Sequence, residues 1–140
     1  PQFTGTGLAF MDRDRFIGLH AGAEGGYLLT RQFLLEGTEI RLNVQTSLQH
    51  PPPGAESMVL AELLQPAEEH DSAKPYPGYS LKECDVVPLK ESFEHTVTWK
   101  GSPDVSSLRG KPVYIRFHLR NATLYTLQVV SGEAVRQPER

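Results

Sequence analysis

"KPVYIRFHLRNATLYTLQVV", residues 111–130, decides the fold. Read with period two, it sets Val113, Ile115, Phe117 and Leu119 on one side of a strand and Tyr114, Arg116, His118 and Arg120 on the other. The first side is a core face. The second carries two arginines, a histidine and a tyrosine in a row, a set suited to an anionic or sugar ligand, to docking a neighbouring domain, or to contact with water alone.

Outward from this strand, the chain repeats the same kind of pattern. Strands are expected at 16–21, 27–30, 32–35, 39–46, 57–64, 93–99, 113–119 and 123–130, most of them separated by Gly, Pro, Asp or Asn. Eight short strands with antiparallel character predict an all-β protein built as an antiparallel β-sandwich. "AESMVLAELLQPAEEH" can also be read at helical spacing through Met58, Leu60, Leu63 and Leu64, but Val59, Ala61 and Leu63 alternate and favour a strand. Segments 47–56 and 66–80 are rich in Pro, Gly and charge and read as loops, where binding function often sits. "GAEGG" at 22–26 reads as a hairpin turn. Leu42, Val97, Ile115, Phe117 and Leu119 are the expected core.

Length and charge narrow the function. With 140 residues the chain is one domain, its core over 13–130 and a tail at 131–140, and it can bury a core without staples. Lys and Arg total 14 and Asp and Glu 17, for a net charge of -3, so no basic footprint for nucleic acid or an anionic membrane is present. The single Cys84 cannot form an internal disulfide or a thiolate metal site. No apolar run reaches the roughly 20 residues of a membrane span, and the first residues lack the basic start and apolar core of a signal peptide. The missing initiator Met points to a mature product or an excised fragment.

The sequence carries no recognisable catalytic constellation. His20, His50, His70, His95 and His118 have no spacing that sets two of them on one metal, so neither metal nor cofactor is expected. "EEHD" at 68–71 is the best local cluster of ligand types, and in a Pro-rich loop it reads as a solvated acidic turn. No carboxylate pair suggests glycoside chemistry, and there is no nucleophile elbow or P-loop. Glu83 and Asp85 should bind turn amides, and as acidic neighbours of Cys84 they argue against a reactive thiolate. The domain is therefore expected not to be an enzyme.

The non-core strand faces hold the candidate site. Strand 39–46 alternates Ile40, Leu42 and Val44 with Arg41, Asn43 and Gln45. If it shares a sheet with 113–119, then Arg41, Asn43, Gln45, Arg116, His118 and Arg120 form one polar platform with Tyr114 at its end. Planar donors beside a flat ring match a glycan, uronates included, because hydroxyls and carboxylates take paired hydrogen bonds and a pyranose C–H face takes an aromatic. Trp99 and His95 lie on the apolar stripe of 93–99, so Trp99 is expected in the core rather than on a stacking rim with Tyr76 and Tyr79.

Three stretches together carry a resemblance: "RDRFIGLHAGAEGGYLLTRQFLLEGTEIRLNV" at 13–44, "PGYSLKECD" at 77–85 and "VTWKGSPDVSSLRGKPVYIRFHLRNATLYTLQ" at 97–128, of which Trp99 to Tyr125 is the most specific part. They resemble the C-terminal β-sandwich domain of large secreted bacterial proteins related to the family 32 glycosidases, in which a five-bladed propeller precedes such a sandwich. The resemblance implies a jelly-roll or concanavalin-like fold, an extracellular bacterial location and a place beside a catalytic domain of the parent protein. It implies no catalytic residue here, because the family's nucleophile and acid lie in the propeller. Two roles fit: a non-catalytic carbohydrate-binding or accessory module, or a purely structural domain that packs on a propeller or oligomer partner. A binder keeps a polar groove with one or two aromatics, whereas a docking domain exposes a flat apolar patch.

Overall fold

The computed structural model describes residues 17–46, 53, 56–86 and 92–131. All eight expected strands are present: β1 Leu19–Ala21, β2 Gly26–Leu29, β3 Phe33–Leu34, β4 Glu39–Thr46, β5 Met58–Leu64, β6 Ser92–Thr96, β7 Pro112–Arg120 and β8 Ala122–Val130. The described residues contain no α-helix, only single 3-10 turns at His70–Ser72 and Ser106–Leu108. Most of the 47–56 loop, residues 13–16 and all of the tail after 131 lie outside the described residues.

The strands form two antiparallel sheets. One runs β1-β8-β4-β6; the other is centred on β7, which pairs with β2, β3 and β5. Because β2 and β5 both pair residues 116–119 of β7, they lie on its two sides. The period-two reading of β7 holds along its whole length: Val113, Ile115, Phe117 and Leu119 are buried, while the intervening residues are half-buried. These four join Ile40, Leu42, Val44, Val97 and Trp99 from the opposite side in one apolar cluster, the sandwich core. Every expected core residue is in it.

"GAEGG" is not a hairpin turn. β1 pairs with β8 and β2 with β7, so residues 22–25 lie opposite 120–121 in a bulged corner that carries a two-stranded ribbon from one sheet to the other. Asn121, at φ 47°, makes the bend on the facing strand; its N–H donates to the Gly22 carbonyl at 3.1 Å and its carbonyl accepts from Ser57 Oγ at 2.8 Å. Asn is one of the few side chains that tolerates this left-handed conformation.

The "VLAELL" segment is a strand, as its alternation predicts, and its outer edge is fastened rather than free. Leu63 N–H donates to the Tyr79 carbonyl, Tyr76 N–H to that of Leu63 and Gln65 N–H to that of Lys74, so the Pro-rich segment after β5 runs as a strap along the edge. At Ala61 side chains take over: its N–H donates to Cys84 Sγ at 3.3 Å and its carbonyl accepts from Trp99 Nε1 at 3.0 Å. An edge so covered offers no template for pairing with another chain.

Candidate functional site

The platform expected across β4 and β7 does not exist, since the two strands belong to different sheets. Arg41 bonds to Glu39 at 3.1 Å. Asn43 sits where the register of β4 slips against both β6 and β8, and at 1% exposure it is buried and already partnered rather than presented. A bulge between β4 and β8 also breaks strict alternation in β8 near Tyr125, whose hydroxyl donates to Gln45 Oε1. Neither Arg41 nor Asn43 reaches the face of β7.

Tyr114, Arg116, His118 and Arg120 do share that face. Pairing on both sides of β7 completes the surroundings: His118 lies between Tyr27 of β2 and Leu60 of β5, and Arg116 between Leu29 and Glu62. Arg116 Nε donates to Glu62 Oε1 at 2.6 Å, and His118 Nε2 lies 3.4 Å from the same oxygen. Glu62 is only 5% exposed although it points away from the core, because β7's long side chains cover it. Burial lowers the His118 pKa; the Glu62 carboxylate opposes that shift and the Arg116 cation reinforces it, leaving the imidazole neutral at pH 7.

Tyr27, which the sequence pattern did not single out, dominates the surface at 74% exposure. Its ring stands edge-on to His118, with centroids 4.3 Å apart and planes at 87°. On one side of it is a groove of about 290 Å³ lined by Tyr27, Leu29, Asp71, Arg116 and His118. On the other is a hollow of about 200 Å³ bounded by Glu24, Met58 and Arg120, whose Nε donates to the Glu56 carbonyl. Tyr114 is half-buried at the far end, paired with Leu64 of β5, and the Tyr76 hydroxyl donates to the Pro112 carbonyl.

The other aromatic candidates are internal. Tyr79 does meet Trp99, ring centroids 5.4 Å apart, but its hydroxyl is bonded to Asp104 and Ser107 and the indole is buried. The carboxylates of "KECD" serve turns as expected: Glu83 accepts from Ser80 N–H, and Asp85 accepts from Gly101 N–H and Thr98 Oγ1. Burial pushes the Cys84 thiol up to about 11, a setting opposite to that of a nucleophile. Among the described residues no three His, Cys, Asp or Glu side chains gather at a metal-binding distance, and no helix is long and apolar enough to cross a membrane.

Two features of the sequence point towards this site. The lone charge in "MVLAELL", Glu62, needs a partner, and Asp71 belongs to the acidic cluster already noted. The chain matches no family model, no curated protein and no solved structure.

Proposed function

We infer that the domain is a non-catalytic carbohydrate-binding module, accessory to a secreted glycoside-hydrolase-like protein, that takes its glycan on the outer face of the β2-β7-β5 sheet. The observation that carries this reading is the Tyr27 ring, 74% exposed on a strand and flanked by the Arg116 and Asp71 groove. A single sugar ring can lie on that phenol while its hydroxyls reach the charged wall. Resemblance to the sandwich of family 32-related glycosidases supports the accessory role and a jelly-roll or concanavalin-like topology. The non-catalytic reading is supported by the state of the carboxylates: Glu62 is committed to Arg116 and His118, which leaves Asp71 as the groove's other acid.

A glycan array at neutral pH, compared with Tyr27→Ala, tests the proposal. Binding that Tyr27→Ala abolishes while leaving the urea midpoint unchanged supports it; binding unaffected by that change excludes this face. One observation favours the structural-domain alternative: Ile17 and Leu19, 80% and 51% exposed, rim an apolar cleft of about 370 Å³ between the sheets. Under that reading Tyr27→Ala leaves function intact and Leu19→Ser weakens attachment to the parent protein.

A further inference from the structure

We propose that the Tyr27 groove selects uncharged sugars and rejects uronates, the reverse of what the row of basic residues in the sequence suggests. The inference rests on the reading of this groove as a sugar site and deepens it.

Arginine presents five N–H donors in a fixed fork. In Arg116 the Nε–H is taken by Glu62, and the amino groups at the two Nη positions have no hydrogen-bond partner among the described residues. Asp71, exposed and lining the same groove, likewise has none among the described residues. The groove thus offers the donors of Arg116 and the acceptor-only carboxylate of Asp71 together with the Tyr27 ring. A hydroxyl both donates and accepts, so the hydroxyls of a neutral pyranose can satisfy both kinds of group.

A carboxylate on the ligand cannot. The positive charge of Arg116 is already balanced by Glu62, which lies 2.6 Å away and is nearly buried. His118 is neutral at pH 7 because it is desolvated. The charge left without a counterpart in the groove is that of Asp71, which repels an anionic sugar and gives it no proton to accept.

The test is calorimetric titration of the chain with tetramers of glucose and of galactose and with the matching oligomers of glucuronate and galacturonate, in wild type, Tyr27→Ala and Asp71→Asn. The expected result is that a neutral oligomer binds through Tyr27 and its uronate counterpart binds at least about tenfold more weakly. Asp71→Asn, at an exposed position, should narrow that gap by raising uronate affinity. Tyr27-dependent binding of a uronate as tight as that of its neutral counterpart overturns the selectivity and leaves the sugar site standing. Binding that survives Tyr27→Ala, or no binding by any of the four, overturns both.

Discussion

The indole Nε1 of Trp99 donates to the carbonyl of Ala61 at 3.0 Å, where β5 would otherwise present an unpaired edge group to the protein interior. A side chain here does the work of a neighbouring strand. Trp99→Phe keeps most of the packing and removes the donor, leaving a buried carbonyl unsatisfied, so it should destabilise by about 1–3 kcal/mol. Trp99→Ala also removes the ring and should cost about 3–5 kcal/mol. Urea unfolding of both variants measures this; a Phe variant equal to wild type would mean that the bond contributes nothing.

At the corner between the sheets, Asn121 holds φ at 47° while its backbone bonds to Gly22 and Ser57. A β-branched residue resists that conformation. Asn121→Val should therefore destabilise by about 1–2 kcal/mol or more, since its branched side chain crowds the backbone. Thermal unfolding of the variant that matched wild type would show that the ribbon turns by some other means.

Acid should weaken the fold in two steps. Burial lowers the pKa of His95 and of His118 in the folded protein, so just below pH 6.5 the unfolded chain binds more protons than the folded one. Stability then rises with pH through that window and is lost as pH falls. Glu83, Asp85 and Asp104 have folded pKa values lowered by hydrogen bonds, chiefly from Ser80, Thr98 and Ser106; the stability they contribute is present above their ordinary carboxylate range and is lost below it. Urea midpoints measured from pH 7.5 to 3.5 should fall in both windows, and His95→Gln should flatten the upper one alone. A midpoint that climbs between pH 7 and 5 contradicts the assignment.

What was legible in the sequence is what local pattern encodes. The period of two in β7 fixes which side of it is buried, and Gly, Pro or Asn breaks mark most of the strands. Sheet membership is not local. Nothing within "EIRLNVQT" says that it pairs with β8 and β6 rather than with β7, so the joint platform of Arg41 with Arg116 was expected and is absent. Tyr27 is not legible for the same reason: its value comes from lying opposite His118, a pairing made by strands far apart in the chain. Asn43 departs from the period of two because the register of β4 shifts there against both β6 and β8.

Cys84 should be inert while the protein is folded. With its pKa at about 11, about one thiol in a thousand is ionised at pH 8, and the sulfur is buried between Ala61 N–H and the Asp85 carbonyl. A disulfide reagent at pH 8 should label it slowly in buffer and promptly in denaturant. Equal rates in the two solutions would place the thiol at the surface.

Arg116 is as much a part of the fold as of the proposed site. Its position on the outer face suggests that Arg116→Ala leaves stability untouched, but its Nε is bonded to a carboxylate that is nearly buried, and removal of the cation strands that charge. A fully buried pair loses about 3–5 kcal/mol when one partner goes. The Arg116 side chain is 28% exposed, so water recovers part of the loss and about 1–3 kcal/mol is expected. Glu62→Ala with Arg116→Ala should be less destabilising than the two single changes added together, with a coupling of about 0.5–3 kcal/mol. Arg116→Lys should recover only part, because a point charge does not reproduce the guanidinium fork. Urea unfolding of the four proteins closes the cycle; additive single effects would mean that the 2.6 Å contact couples nothing. If the coupling is found, Arg116→Ala confounds folding with recognition as a test of the proposed glycan site, and the exposed Tyr27 is the cleaner position for that test.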